Sequence, residues 1–323
     1  MTEWLNHSAA WREWRTAMVG QRMHHGWMLA GKSGLGKLDF AHAAARELVA
    51  EEGVQQPAEH PDILTVTFGP KDKKAASAQE AGKPYELSNV IKVEQVRDME
   101  RRLHTRPTLG SRRVVIVQPA DEMNRNAANA LLKSLEEPPA GTFFMLITHR
   151  PSRLLPTIRS RCRILRFPNL TDAQLETMLG ASDTGATGDA RLAAIKAAEG
   201  SYGAALRFAE QDLGPVAATI TRLLTKGDPD LSGRADLSRL IGGRADRARL
   251  DAVFELAQAL TADLARTTEN PAQRASLIDA HGELVTLAAQ APTYNFDTGL
   301  LSVEIGSLLM RAAPSSDHAH VRS

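Results

Sequence analysis

The sequence predicts an α/β unit built on a parallel sheet, followed by all-helical segments, and three observations carry this expectation. Short apolar, β-branched or aromatic runs at 27–30, 63–68, 114–117 and 143–147 alternate with stretches of helical spacing, the pattern of a sheet covered by helices on both faces. The glycine-rich turn Gly31-Lys32-Ser33-Gly34-Leu35-Gly36-Lys37 joins the first run to a helix with the spacing of a phosphate-binding loop. From Thr171 the strand-like runs stop and only helical spacing continues.

Taken in order, Trp27 to Ala30 reads as a buried strand and Phe40 to Val49 as an amphipathic helix, with the glycine turn between them. Such a turn aims backbone N–H groups and the positive end of the helix dipole at an anion. Leu38 stands where Ser or Thr would hold magnesium, so the loop keeps its shape and loses its metal ligand. The alternative, a glycine-rich turn with a chance lysine, fits the strand and helix on either side less well. Ile63 to Phe68 is the next strand, and Gly69 to Pro84, rich in Lys, Ala and Gly, is expected to be an exposed loop. Val93 to His104 is expected to be helical, with Val96, Met99 and Leu103 inward. Arg97, Arg101 and Arg102 lie on its other face, suited to solvent or to DNA phosphates.

Val114 to Val117 is a buried strand that ends in Gln118-Pro119, where a hydrolytic nucleotide site needs carboxylates. Asp121 and Glu122 are expected in the following loop, out of reach of a γ-phosphate, so Glu122 reads as a solvated acid in preference to a catalytic one. Loss of a positioned general base costs roughly 10²- to 10⁴-fold in rate. Asn124 is the expected N-cap of a helix whose Ala127, Leu131 and Leu135 share one face and which Pro138-Pro139 terminates. Phe143 to Ile147 is another strand, with Thr148 at its tip, placed to sense a phosphate. Thr157 to Cys162 leads into a last strand through Phe167.

At 323 residues the chain exceeds the size at which one core stops growing, so two or three domains are expected. The lone cysteine, Cys162, allows no internal disulfide, and no apolar run is long enough to span a bilayer; without a leader-like segment the cytoplasm is the expected location. A net charge of +1 gives no field for autonomous nucleic-acid binding. His24 and His25, adjacent and expected to point apart on a strand, read as structural, and His60-Pro61-Asp62 reads as a structural turn. No Ser, His and Asp occur at nucleophile-elbow spacing, and there is no Cys/His ligand set.

The run Asn126 to Pro139 and the triplet Ser160-Arg161-Cys162 resemble the clamp-loader subunits of bacterial DNA polymerase III, members of the AAA+ family. The resemblance is strongest from about Arg22 to Phe167, reappears at Gly200-Ser201-Tyr202-Gly203-Ala204-Ala205-Leu206, and is architectural in the C-terminal third. The missing loop hydroxyl, the missing strand-end acids and Gly203, where the ATPase subunits carry a nucleotide-contacting arginine, are similar to the non-hydrolysing member of that family.

The resemblance implies an AAA+ α/β domain over 1–167, a small helical lid over 168–211 and a helical collar domain over 212–313, with a disordered tail over 314–323. Helical spacing at Leu250, Val253, Ala257, Leu260 and Leu264, and at Leu301, Ile305 and Leu308, agrees with the collar. It implies that Arg161 acts as an arginine finger in trans, supported by Ser160 and Cys162, on ATP held by a neighbouring gamma or tau subunit. On residue type alone Arg161 is one more cation among Arg150, Arg153, Arg159, Arg163 and Arg166. Gly31, Gly34, Gly36, Lys37 and Thr148 would form a weak or vestigial ATP site, and no cofactor is required. Relatives that carry four cysteines bind zinc; Cys162 alone cannot. The implied partners are gamma/tau and delta subunits in a hetero-pentameric ring, with the sliding clamp and primer-template DNA met through the complex and no membrane. The chain by itself would be no enzyme. One alternative is a self-sufficient ATPase of gamma/tau type, which needs a hidden carboxylate near Lys37; another, a stand-alone DNA-binding module, is disfavoured by the charge.

Overall fold

Five parallel strands in the order β2-β3-β4-β1-β5 organise the N-terminal half: β1 (Gly26–Ala30), β2 (Ile63–Val66), β3 (Arg113–Val117), β4 (Thr142–Thr148) and β5 (Arg163–Arg166). The structure is a computed structural model that describes residues 4–20, 23–182, 188–243, 247–294 and 297–314. The chain divides into two compact units, Met1–Asn169 and Leu170–Ser323. Every residue of β1 and β3 is buried, as a strand must be when helices cover both faces of its sheet.

In the first unit the helices are α1 (Ser8–Val19), α2 (Lys37–Val49), α3 (Lys73–Glu80), α4 (Val93–Leu103), α5 (Arg125–Glu136) and the single turn α6 (Pro156–Arg159). Val96, Met99 and Leu103 of α4 and Ala127, Leu131 and Leu135 of α5 pack on Val115, Val117, Phe144 and Leu146 of the sheet. Asn124 caps α5 by accepting the Ala127 N–H at 2.8 Å, as its position before the apolar stripe predicts. Trp14 of α1 meets Trp27 of β1 edge to face, ring centroids 5.3 Å apart.

Gly69 to Pro84 is not simply an exposed loop. It contains α3, whose N-cap Asp72 accepts the Ala75 N–H at 2.8 Å, and Pro70 pairs antiparallel with Leu87 at its base. Lys, Ala and Gln form helix readily, but only Ala75 of this helix is buried, so no apolar stripe announces it. His24 and His25 do not point apart either: they precede β1 and their rings stack 4.8 Å apart. His24 Nδ1 lies 2.8 Å from Gly26 O and His25 Nε2 lies 2.9 Å from Leu135 O.

Asp62 does more than turn the chain. Its fully buried carboxylate accepts the Thr108 N–H and the Leu109 N–H at 2.8 and 2.9 Å and pairs with Arg113 at 3.1 Å. Arg113 in turn donates to the carbonyls of Arg102 (2.6 Å), Thr105 (2.9 Å) and Arg106 (2.9 Å). This buried pair ties the starts of β2 and β3 to the C-terminal end of α4, satisfying orphan helix carbonyls that the fold takes out of water.

The second unit is helical among the described residues: α7 (Asp172–Gly180), α8 (Gly188–Ala198), α9 (Tyr202–Glu210), α10 (Gly214–Lys226), α11 (Ser232–Ile241), α12 (Arg247–Thr267), α13 (Pro271–Tyr294) and α14 (Thr298–Arg311). Thr171 caps α7 with Gln174 as reciprocal partner, and Ser201 caps α9 by accepting the Ala204 N–H. Leu301, Ile305 and Leu308 of α14 are buried. On α12 the buried stripe is Val253, Phe254, Leu256 and Ala257, while Leu250, Leu260 and Leu264 are half-buried. Residues 315–323, the expected tail, lie outside the described residues. Among the described residues no helix is long and apolar enough to cross a membrane.

Candidate functional site

The glycine turn leaves the C-terminal end of β1, where Ala30 pairs in register with Thr148 of β4 and Arg166 of β5, and opens α2 at Lys37. Gly34 and Gly36 have φ of 74° and 69°, the left-handed region that glycine enters at no steric cost. At Gly31 a Cβ would stand 2.5 Å from Phe167 O. Lys37 is only 3% exposed, and its ammonium donates to Gly31 O at 2.7 Å and to Lys32 O. Burial lowers its pKa from 10.5 to about 8, against the raising effect of the Asp121 charge. Leu38 offers no oxygen.

The N-terminal segment covers the outer side of this junction. A Cβ on Gly36 would fall 2.1 Å from the Trp4 ring, and Trp4 Nε1 donates to Asp39 at 2.9 Å. Trp4 stacks on His7 at 5.3 Å, and His7 Nε2 lies 2.8 Å from Leu35 O. Nothing in the loop's own sequence signals this cover, because Trp4 and Gly36 meet only through the fold.

At the neighbouring strand ends, β3 passes from Val117 into Gln118-Pro119 as expected, but Asp121 and Glu122 are not free loop acids. They sit in the 3-10 turn Ala120–Glu122. Asp121, 5% exposed, accepts the backbone N–H groups of His149 and Arg150 at 3.0 and 3.1 Å. Burial pushes its carboxyl up, yet the His149 N–H bond and the adjacent charges outweigh this and hold it below the usual carboxylate range. Its charge reaches Lys37, a proximity that counting residues past Val117 does not reveal. Glu122 pairs with Arg150 at 2.5 Å and Arg153 at 2.9 Å.

Thr148 lies at the tip of β4, as expected, and is fully buried. The residue after it, His149, carries no signal in the sequence pattern: burial and then the Lys37 charge lower its pKa. Gln118 Oε1 is buried without a hydrogen-bond partner, while the Thr148 hydroxyl faces the Asp121 carboxylate and the His149 ring faces the Gly31 backbone. The cradle therefore combines one buried ammonium and loop N–H groups, which suit an oxyanion, with a buried amide oxygen that suits water. Among the described residues no group of three or more His, Cys, Asp and Glu side chains gathers as a metal site.

The buried lysine makes a testable demand on stability. Because its folded pKa lies below 10.5, the unfolded chain binds a proton that the folded one lacks between about pH 8 and 10.5, so stability rises with pH there. A difference of about 2.5 units corresponds to ~3 kcal/mol at 1.36 kcal/mol per unit. Lys37→Met is expected to flatten this rise in urea titrations at pH 8 to 10 and to raise stability at pH 7. An unchanged pH slope would show that Lys37 is solvated.

Arg161 occupies a different place. It follows α6 in the turn Ser160-Arg161-Cys162 that enters β5, and Trp27 of β1 pairs with Arg163 at that end. Ser160 Oγ donates to Thr157 O at 3.1 Å. Arg161 is part-exposed, with Nη1 donating to Thr157 O at 3.0 Å and Nη2 paired to Glu136 at 2.7 Å. Cys162 packs against the core, and burial pushes its thiol up to about 12, so it is a protonated packing group at neutral pH. Arg159 is exposed beside it. Gly203 lies on α9 in the second unit.

The structure thus joins Gly31, Gly34, Gly36, Lys37 and Thr148 at the C-terminal strand ends, and separates them from Ser160, Arg161 and Cys162 at the N-terminal ends. Strands of four to five residues at ~3.3 Å each put these ends on the order of 15 Å apart.

A phosphate loop after a central parallel strand, a neighbouring strand tip that presents a threonine, and a following helical region define an AAA+ P-loop fold. A gamma-subunit-related protein of DNA polymerase III from Thermotoga maritima shares this fold, with a TM-score of 0.50 at 18% identity over 93% of this chain and 98% of that one. The chain belongs to the family described as DNA polymerase III, delta subunit, whose model matches residues 6–171. It is 40% identical over 158 residues to the DNA polymerase III delta-prime subunit of Pseudomonas aeruginosa, covering 47% of this chain and 46% of that one. To the delta-prime subunit of Escherichia coli it is 34% identical over 221 residues, 64% of this chain and 61% of the relative. The tau subunit of Salmonella typhimurium is 28% identical over 302 residues, 90% of this chain and 40% of tau. The matched stretch thus spans 46% and 61% of the lengths of these two delta-prime relatives.

Proposed function

We propose that the chain acts in DNA replication as a non-hydrolysing, delta-prime-type clamp-loader subunit that lends Arg161 to ATP bound by an adjoining gamma or tau subunit. The observation that carries this is the separation of Arg161 from the chain's own phosphate loop, at opposite ends of the same strands. A guanidinium so placed can act only on a phosphate that another molecule brings to it.

The chain's own loop is correspondingly poor. Leu38 cannot ligate magnesium, Gln118-Pro119 cannot activate water, and Trp4 with His7 lies across the loop–helix junction. ATP binding there is vestigial and no zinc or other cofactor is required. In trans, the Arg161 guanidinium would offset negative charge that develops on the γ-phosphoryl oxygens, with Ser160 and Cys162 shaping the turn that presents it. Helices α10 to α14 would join those of gamma/tau and delta in a collar, so that the five-membered ring meets sliding clamp and primer-template DNA as a whole. The complex would work in the bacterial cytoplasm, at the replisome.

The test is reconstitution with gamma or tau and delta. DNA-stimulated ATP hydrolysis and clamp loading should require this chain, and hydrolysis at one site should be lost when Arg161 is replaced. Assembly with no dependence of either activity on the chain would refute the proposal.

One observation favours a second reading, a self-sufficient ATPase. That reading needs a carboxylate close to Lys37, and Asp121 is one. Both Asp121 oxygens already accept backbone N–H groups, which makes it a strut between the strand ends rather than a base. Turnover by the isolated chain separates the two readings.

A further inference from the structure

Glu136 is the last residue of α5, where the helix dipole is negative and an acidic side chain is disfavoured. Its carboxylate is paired there with Arg161 Nη2 at 2.7 Å. The other terminal nitrogen of the same guanidinium fork, Nη1, donates to Thr157 O at 3.0 Å. Two contacts from two different elements fix a planar group in direction as well as in place.

The platform beneath this pair is tight. Gly26 sits where the end of α5 crosses the turn into β5, and a Cβ there would lie 2.8 Å from Arg161 O, 3.3 Å from Cys162 Sγ and 3.6 Å from Leu135 Cδ2. His25 Nε2 is 2.9 Å from Leu135 O, next to Glu136. The backbone that carries Glu136 and the backbone that carries Arg161 are therefore locked to one another through β1. The pair itself remains accessible, with side chains 49% and 36% exposed.

We infer that Glu136 is a positioning residue, which holds the Arg161 guanidinium in the orientation in which it meets the neighbouring subunit's nucleotide. The inference rests on the proposed function of Arg161 and adds to it a residue on another helix. The carboxylate transfers no proton and touches no phosphate; it limits the rotamers of Arg161 before the ring closes. Orientation of a reacting group is worth orders of magnitude in rate, and the guanidinium retains unused N–H donors for a phosphate while Glu136 holds one edge.

The experiment is a double-mutant cycle in the reconstituted complex, with single-turnover hydrolysis resolved at the site this chain completes, KM for ATP and assembly measured for each variant. At the site this chain completes, Glu136→Ala is expected to lower the single-turnover rate roughly 10-fold with KM for ATP unchanged, against roughly 10³-fold for Arg161→Ala. In the Arg161→Ala background, Glu136→Ala should have no further effect. Glu136→Gln, which keeps an acceptor oxygen, should recover most of the loss, and Glu137→Ala should behave as wild type. Equal effects of Glu136→Ala with and without Arg161 would show a merely structural role. Wild-type or faster turnover at that site by Glu136→Ala, with the site silent in Arg161→Ala, would overturn the inference and leave the function of Arg161 standing. Wild-type turnover by Arg161→Ala would remove the proposed function itself.

Discussion

Arg161→Ala is expected to leave ring assembly near normal and to abolish ATP hydrolysis at the one site that this chain completes. An arginine finger supplied in trans is worth roughly 10³ to 10⁵ in rate in well-studied nucleotide hydrolases, so residual turnover at that site should be too low to see above the others. Assembly should survive because the polar contacts of the Arg161 side chain, to Glu136, Thr157 and Ser160, are exposed, and exposed ion pairs contribute ~0–1 kcal/mol. Arg161→Lys should restore little, because an ammonium lacks the planar fork. Single-turnover hydrolysis with each site resolved, together with gel filtration of the complex, is the check. Unchanged hydrolysis at every site would remove the role assigned to Arg161.

The largest effect on stability is expected from Asp62→Ala. Asp62 and Arg113 are both buried, at 0% and 4% exposure, and removal of one member of a buried pair leaves an uncompensated charge, at a cost of about 3–5 kcal/mol. Against a typical total of ~5–15 kcal/mol for a domain, that is a large fraction of the stability of the first unit. A shift of the urea midpoint for that unit measures it; a change near 0.5 kcal/mol, usual for surface positions, would contradict the assignment. The pH dependence follows from the same contacts. Burial pushes the Asp62 carboxyl up, but the Leu109 and Thr108 N–H groups and Arg113 outweigh it and hold it below 3.8. A carboxyl depressed on folding contributes stability that is present above its unfolded pKa and is lost as pH falls through the folded one. Wild type should therefore lose stability steeply below about pH 3.8, and Asp62→Ala should lack that component.

The strands and the helices that pack on them were legible because their patterns are local. β1, β3 and β4 are continuous apolar runs, and α4 and α5 carry one clean stripe each. The phosphate loop was legible for the same reason: Gly31, Gly34, Gly36 and Lys37 are close in sequence, and Leu38 is conspicuous by its position. The triplet at 160–162 was recognised as a motif, yet its distance from the loop became evident only once β1 and β5 were paired in register.

What the sequence hid depends on contacts between distant residues. Trp4 meets Gly36, Asp121 meets His149, Asp62 meets Arg113, and Glu136 meets Arg161, and no periodicity announces such pairs. Asp121 is instructive. Three residues beyond Gln118 it counts as loop, but the 3-10 turn folds it back under the backbone of His149 and Arg150, close enough for its charge to act on Lys37. α3 escaped for the opposite reason, since a helix that buries one alanine leaves no apolar signature.

The most direct test of the account is ATP hydrolysis by the purified chain in Mg²⁺, first alone and then mixed with its gamma or tau partner. The account predicts no turnover by the chain alone, and hydrolysis on mixing that depends on Arg161. Magnesium-dependent turnover by the isolated chain, abolished by Lys37→Ala, would contradict it.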